Sequence, residues 1–221
     1  MTDYLRSEEE QVAAIKQWWK DNGTSLVVGV AVALTGLFGW KAYQQNQIET
    51  REHRSIQFQQ LLDATNQPAV PEADKAAEKV NNVAFLSEEI LKDDKDSRYA
   101  IYARLMQAKT AVDESRYEDA EKTLRDALKV NTDAALKSVI QVRLARVLAL
   151  RDQADEALKL LSEKPAEGFA AYFDEMKGDI LKAQGKAKEA REAYESALAN
   201  AQLTGGETRL LEIKIDDLAG A

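Results

Sequence analysis

The chain has 221 residues, with 38 acidic side chains against 30 basic ones for a formal net charge of −8, a single His and no Cys. No Cys means no disulfide scaffold and no thiolate metal site, and one His cannot build a His-rich metal centre. The acidic balance excludes a general nucleic-acid surface, which needs clustered cations; 45% hydrophobic and 31% charged residues exclude bulk disorder and a polytopic membrane protein.

The first element covers residues 7–23. Ser7 and Glu10 have the spacing of a capping box, and Val12, Ile15 and Trp19 share a helical stripe with Lys16 and Lys20 near its end. Asn22-Gly23 is a helix stop. The pattern predicts a short amphipathic helix in the headgroup layer of a membrane, or a partner-binding helix; the two roles are compatible.

Asn22 to Trp40 then gives nineteen residues without an ionisable side chain, bracketed by Asp21 and Lys41. At ~1.5 Å per residue this spans about 28 Å, close to the hydrocarbon thickness of a bilayer. The heart, Leu26 to Trp40, reads LVVGVAVALTGLFGW and has no polar stripe, so its whole circumference suits lipid. Leu26, Val27, Val28, Leu34, Leu37 and Phe38 form the anchor, with Trp18, Trp19, Trp40 and Tyr43 as interfacial aromatics. Gly29 and Ala33 have small-xxx-small spacing. A cleaved signal peptide does not fit: the preceding segment is acidic (Glu8, Glu9, Glu10), and Trp40-Lys41-Ala42-Tyr43 is bulky where a peptidase takes small residues. Arg6, Lys16 and Lys20 before the span balance Lys41, Arg51 and Arg54 after it, so charge leaves the orientation open.

Beyond Lys41, apolar residues recur at helical spacing. Ile48 to Thr65 reads as helix, Asn66 to Pro71 as a proline-bounded loop, and Ala73 to Leu91 as helix with Ala76, Val80, Val83, Ala84 and Ile90 on one side. Asp93 to Ser97 is a charged break. Three similar blocks follow, YEDAEKTL from Tyr117, ADEALKLL from Ala154 and AKEAREAY from Ala187. Their anchoring alanines, Ala120, Ala157 and Ala190, lie 37 and 33 residues apart, which brackets the ~34-residue tetratricopeptide period. Twelve residues before each stands a small residue, Ala108, Ala145 and Gly178, where paired helices must touch.

The expected fold is all-α, an N-terminal transmembrane helix followed by a tetratricopeptide-like helical-repeat superhelix. Its parts are a short N-terminal segment (1–23), the span (24–43), a helical linker with a degenerate first pair (44–97), three repeats (98–204) and a capping helix (205–221). Stacked pairs create a groove, and its inner face should carry Tyr102, Met106 and Lys109, then Arg143 and Arg146, then Tyr172, Met176 and Asp179. No catalytic, cofactor or metal constellation is legible. His53 sits among Arg51, Glu52 and Arg54 as a solvated side chain, and Asp93-Asp94-Lys95-Asp96 lacks the Gly and terminal Glu of a calcium loop. An anchored hydrolase would need a nucleophile–base pair or paired carboxylates, and neither is present.

Glu10 to Gln44 and, in support, Leu136 to Leu161 resemble the YfgM-like family, ancillary subunits of the bacterial Sec translocon; the domain order matches along nearly the whole chain. The resemblance implies a single-pass inner-membrane protein with a cytoplasmic N-terminus and a periplasmic repeat domain. It implies association with the Sec channel and with a membrane-anchored periplasmic chaperone of the prolyl-isomerase class, contact with nascent secreted polypeptides, and a link to stress regulation through a cytoplasmic response regulator. An anchored scaffold for an envelope or cell-wall assembly complex is the alternative.

Overall fold

A computed structural model describes residues 8–66 and 73–218. Ser7 of the expected capping box and residues 67–71 of the expected loop lie outside the described residues, as does the side chain of Ala76. Among the described residues every regular element is an α-helix: α1 (Glu8–Asn66), α2 (Ala73–Asp93), α3 (Arg98–Asp113), α4 (Tyr117–Val130), α5 (Ala134–Leu150), α6 (Ala154–Leu161), α7 (Ala170–Ala183), α8 (Ala187–Thr204) and α9 (Arg209–Asp216). The chain divides into two compact units, Met1–His53 and Arg54–Ala221.

The first unit is the N-terminal part of α1. The helix stop expected at Asn22-Gly23 is corrected, because α1 runs through it without a break. Asn22 turns its amide back onto the helix, its Nδ2 donating to the Trp18 carbonyl at 3.1 Å, and Gly23 is buried under the Trp19 indole. Gly23 does not adopt the left-handed φ that a terminating glycine needs, and next to an apolar run an unbroken backbone ladder is the cheaper solution. All ten anchor residues are exposed, with Leu37 62%, Phe38 64% and Trp40 62% accessible, which a core helix of a soluble domain would not allow. Thr35 hides its hydroxyl by donating to the Ala31 carbonyl at 2.8 Å. The Trp40 and Tyr43 rings lie 6.1 Å apart.

The second unit opens with the end of α1. Leu61 and Ala64 pack with Val83 and Ile90 of α2 and Ala100 and Ala103 of α3, and Phe58 meets Tyr99 and Tyr102 at 5.4 and 5.5 Å. Arg54 pairs with Asp94 at 3.1 Å. The end of α1 and α2 together cover the apolar side of α3 that faces away from the later repeats. One continuous core then runs from Ile101 of α3 to Ile180 of α7, and a further cluster joins Ala190, Tyr194, Ala197 and Ala201 of α8 to Leu211 of α9 and to Leu218. Each pair shares its apolar face with the next, as a repeat stack requires.

Three hairpins, α3–α4, α5–α6 and α7–α8, each close through three residues with the central one left-handed: Ser115 (φ 60°), Asp152 (φ 60°) and Gly185 (φ 75°). The N–H of the following residue reaches back to Ala111, Leu148 and Leu181 carbonyls at 2.7, 2.9 and 3.0 Å, a Schellman closure repeated in every unit. Only the third repeat uses the residue best suited to it. A left-handed non-glycine costs ~1 kcal/mol, partly offset by the entropy glycine loses on folding, so Gly185→Ala should lose about 1 kcal/mol and Ser115→Gly gain a few tenths. Urea unfolding of the full chain in detergent measures both; equal midpoints for all three proteins would refute the turn assignment.

Candidate functional site

A cleft of about 420 Å³ opens between the first helices of consecutive pairs. Leu105, Met106, Lys109, Val112 and the acidic Asp113 of α3 form one wall, Val142, Arg143 and Arg146 of α5 the other, and Leu124 of α4 contributes from the second helix of the pair. Asp133 accepts from the Leu136 N–H at 2.9 Å and starts α5, while Ser97 does the same for α3 through Ala100 at 3.1 Å. The α6–α7 loop is sewn to the opposite side of α5, since Ser138 Oγ accepts from the Ala166 N–H at 2.9 Å and Glu163 receives Lys137 and Gln141 at 3.0 and 2.9 Å.

The cleft is apolar inside and charged at its rim. Lys109 is held by Asp113 at 2.6 Å, whereas Arg143 and Arg146 are exposed and make no ion pair or hydrogen bond among the described residues. Although the Arg143 side chain as a whole is open to solvent, protein atoms crowd its guanidinium, and this partial desolvation, followed by the neighbouring Arg146 charge, pulls it below its ordinary value. Of the expected groove residues, the fold therefore brings Met106, Lys109, Arg143 and Arg146 together. The other four are not part of this cleft. Tyr102 packs on Phe58, Tyr172 is exposed beside Phe169, Met176 is buried, and Asp179 is engaged from behind by α8 and α9.

The repeat-signature residues Ala108, Ala120, Ala145, Ala157, Gly178 and Ala190 are all buried. The third pair is the tightest. Tyr194 lies across Gly178 and donates its hydroxyl to Asp179 Oδ1 at 2.8 Å. Lys214 of α9 reaches the same carboxylate at 2.6 Å and Glu175 at 2.8 Å, with its ammonium 5.3 Å from the centre of the Tyr194 ring. Burial, then the Asp179 hydrogen bond, pushes the Tyr194 phenol well above its ordinary value. For Lys214 burial acts downward, but Asp179 and Glu175 outweigh it and raise the ammonium. On another face Glu121 takes Arg125 at 2.8 Å and also Arg151; burial opposes its ionisation, yet the two guanidinium groups hold it below the usual carboxylate range.

Nothing among these groups pairs a nucleophile with a base. The acidic break before α3 does structural work through the Arg54–Asp94 pair and the Ser97 cap. The cleft itself offers an apolar floor beneath two guanidinium groups.

A tetratricopeptide repeat-like domain family matches residues 16–220. The ancillary SecYEG translocon subunit of Escherichia coli is 32% identical over 98% of this chain and 99% of its own length, and that of Haemophilus influenzae 30% identical over 97% and 99%. The subunit of the same name from Aggregatibacter actinomycetemcomitans is 31% identical over 97% and 99%. No solved structure matches the chain. With an apolar N-terminal helix, a stack of paired helices and full-length similarity all pointing the same way, this chain belongs to the tetratricopeptide repeat-like family of ancillary SecYEG translocon subunits.

Proposed function

We propose that the chain is a non-catalytic, membrane-tethered interaction protein that works beside the Sec translocon of the bacterial inner membrane. Residues 24–43 cross the bilayer once, residues 1–23 lie on the cytoplasmic side, and the repeat domain stands in the periplasm. There it links translocation to a membrane-anchored chaperone of the prolyl-isomerase class and meets emerging polypeptides. The cytoplasmic segment is the part available to a response regulator. The observation that carries the reading is the similarity to translocon subunits over almost the whole chain, joined to an exposed apolar stretch of bilayer length within the much longer α1. Tethering raises the local concentration of a weak binder, so modest affinity at the α3–α5 cleft suffices.

The test is made in intact cells. A photocrosslinker at Arg143 or Arg146 is expected to give adducts with translocon or chaperone subunits, and a protease added to spheroplasts should clip residues beyond 60. Adducts and co-purification confined to cell-wall assembly proteins would replace this reading with the envelope scaffold, and cleavage only from the cytoplasmic side would overturn the orientation.

A further inference from the structure

We propose that the α3–α5 cleft selects an acidic polypeptide segment, one apolar side chain seated against Leu105, Met106 and Val142 with a neighbouring carboxylate held by Arg143 and Arg146. The proposal deepens the reading above and rests on it, since it names the chemistry of the partner that the cleft receives.

Charge is the first argument. Of the arginines between α3 and α8, Arg98, Arg116, Arg125, Arg151 and Arg191 each pair with a carboxylate, and Arg104 donates to the Lys95 carbonyl at 2.8 Å. Arg143 and Arg146 have no such partner among the described residues, although the chain carries eight more formal negative than positive charges. They stand three residues apart on one face of α5, so their charges repel in the free protein. An incoming carboxylate relieves that repulsion, and guanidinium groups offer it the fork geometry that carboxylates accept in pairs of hydrogen bonds.

The second argument is the lining. A bare anion site would not need Leu105, Met106, Val112 and Val142 around it. The cavity falls within the ~300–1,000 Å³ range of specific ligand sites, room for a few side chains rather than a whole helix. Met106 supplies a flexible, polarisable wall that adapts to differing apolar side chains. Lys109 is already neutralised by Asp113, so the anion is drawn to the α5 side of the cleft. Selectivity then lies in combining greasy contact with negative charge.

The experiment uses the full-length protein in zwitterionic nanodiscs and three fluorescent dodecapeptides, built from Leu and Asp, from Leu and Lys, and from Ser and Asp. The Leu/Asp peptide should bind at least ~10-fold more tightly than either control, about the worth of one charge-assisted hydrogen bond. The Arg143→Gln/Arg146→Gln double variant should erase that preference. Met106→Glu, a separate change on the opposite wall, should weaken the Leu/Asp peptide by a similar factor without touching either arginine. Equal binding of Leu/Asp and Leu/Lys peptides overturns acidic selection while leaving a polypeptide groove in place. Equal binding of Ser/Asp, or full displacement by vesicles of anionic lipid, overturns it in favour of a simple anion surface. No peptide binding together with no crosslink from position 143 in cells overturns both this proposal and the function it rests on.

Discussion

Gly178→Ala is expected to destabilise the last helix pair by roughly 3 kcal/mol, the upper end of what overpacking costs in a filled core. A Cβ at this position would overlap Cδ1 and Cε1 of Tyr194 and lie 2.9 Å from Cζ. The ring cannot swing away, because Tyr194 is 1% exposed and its hydroxyl is fixed on Asp179 at 2.8 Å. The other repeats show how the clash is avoided. Sixteen residues after Ala108 stands Leu124, and sixteen after Ala145 stands Leu161, both buried, where the third repeat pairs Gly178 with Tyr194. Small residue and large residue are therefore exchanged together: glycine admits the aromatic, alanine admits leucine. The double variant Gly178→Ala/Tyr194→Leu should recover most of the loss, since it rebuilds in the third pair the combination the first two already use. Urea unfolding of the full chain in detergent reads both. A single variant as stable as the parent, or a double variant no better than the single, would show that the two helices do not meet through this ring.

That pairing explains how far the residues alone could be read. Small residues at fixed distance mark helix contacts, because the repeat needs two backbones close together, and a membrane anchor announces itself through nineteen uncharged residues. Turns were harder. Asp152 and Ser115 occupy a left-handed position that only Gly185 signals openly, and the back-bonded closure that stabilises it leaves no side-chain signature. Asn22-Gly23 misled for the opposite reason, since a stop motif acts only where water can receive the freed carbonyls. The cleft was legible in part. Helical period places Met106, Lys109, Arg143 and Arg146 on inner faces, but it cannot say that Phe58, at the end of α1, will claim Tyr102, or that α9 will claim Asp179. Both depend on elements distant in the chain.

The α9 contact is the least local of all and supports the other large expectation: Lys214→Ala should cost roughly 2 kcal/mol and release α9 from the stack. Breaking a buried ion pair costs ~3–5 kcal/mol, and the figure is reduced here because the Lys214, Glu175 and Asp179 side chains remain 19%, 26% and 33% exposed. Without the ammonium, two carboxylates of α7 face each other with, among the described residues, only the Tyr194 hydroxyl as donor. The same network sets an alkaline limit. The raised pKa of Lys214 means that its ion pairs contribute fully below the ordinary value of 10.5, and the contribution is lost as pH climbs through the folded value. Tyr194 acts in the same direction: above 10.0 the unfolded chain releases the phenolic proton while the folded chain retains it, so each further step in pH favours unfolding. Helix content followed by circular dichroism from about pH 8 to 12 should fall first through loss of α9, with the Lys214→Ala protein less stable at neutrality and flatter in its alkaline response. A variant that matches the parent both in neutral stability and in alkaline slope would mean that α9 is held by Leu211 and Leu218 alone and that the charges beneath it are bystanders.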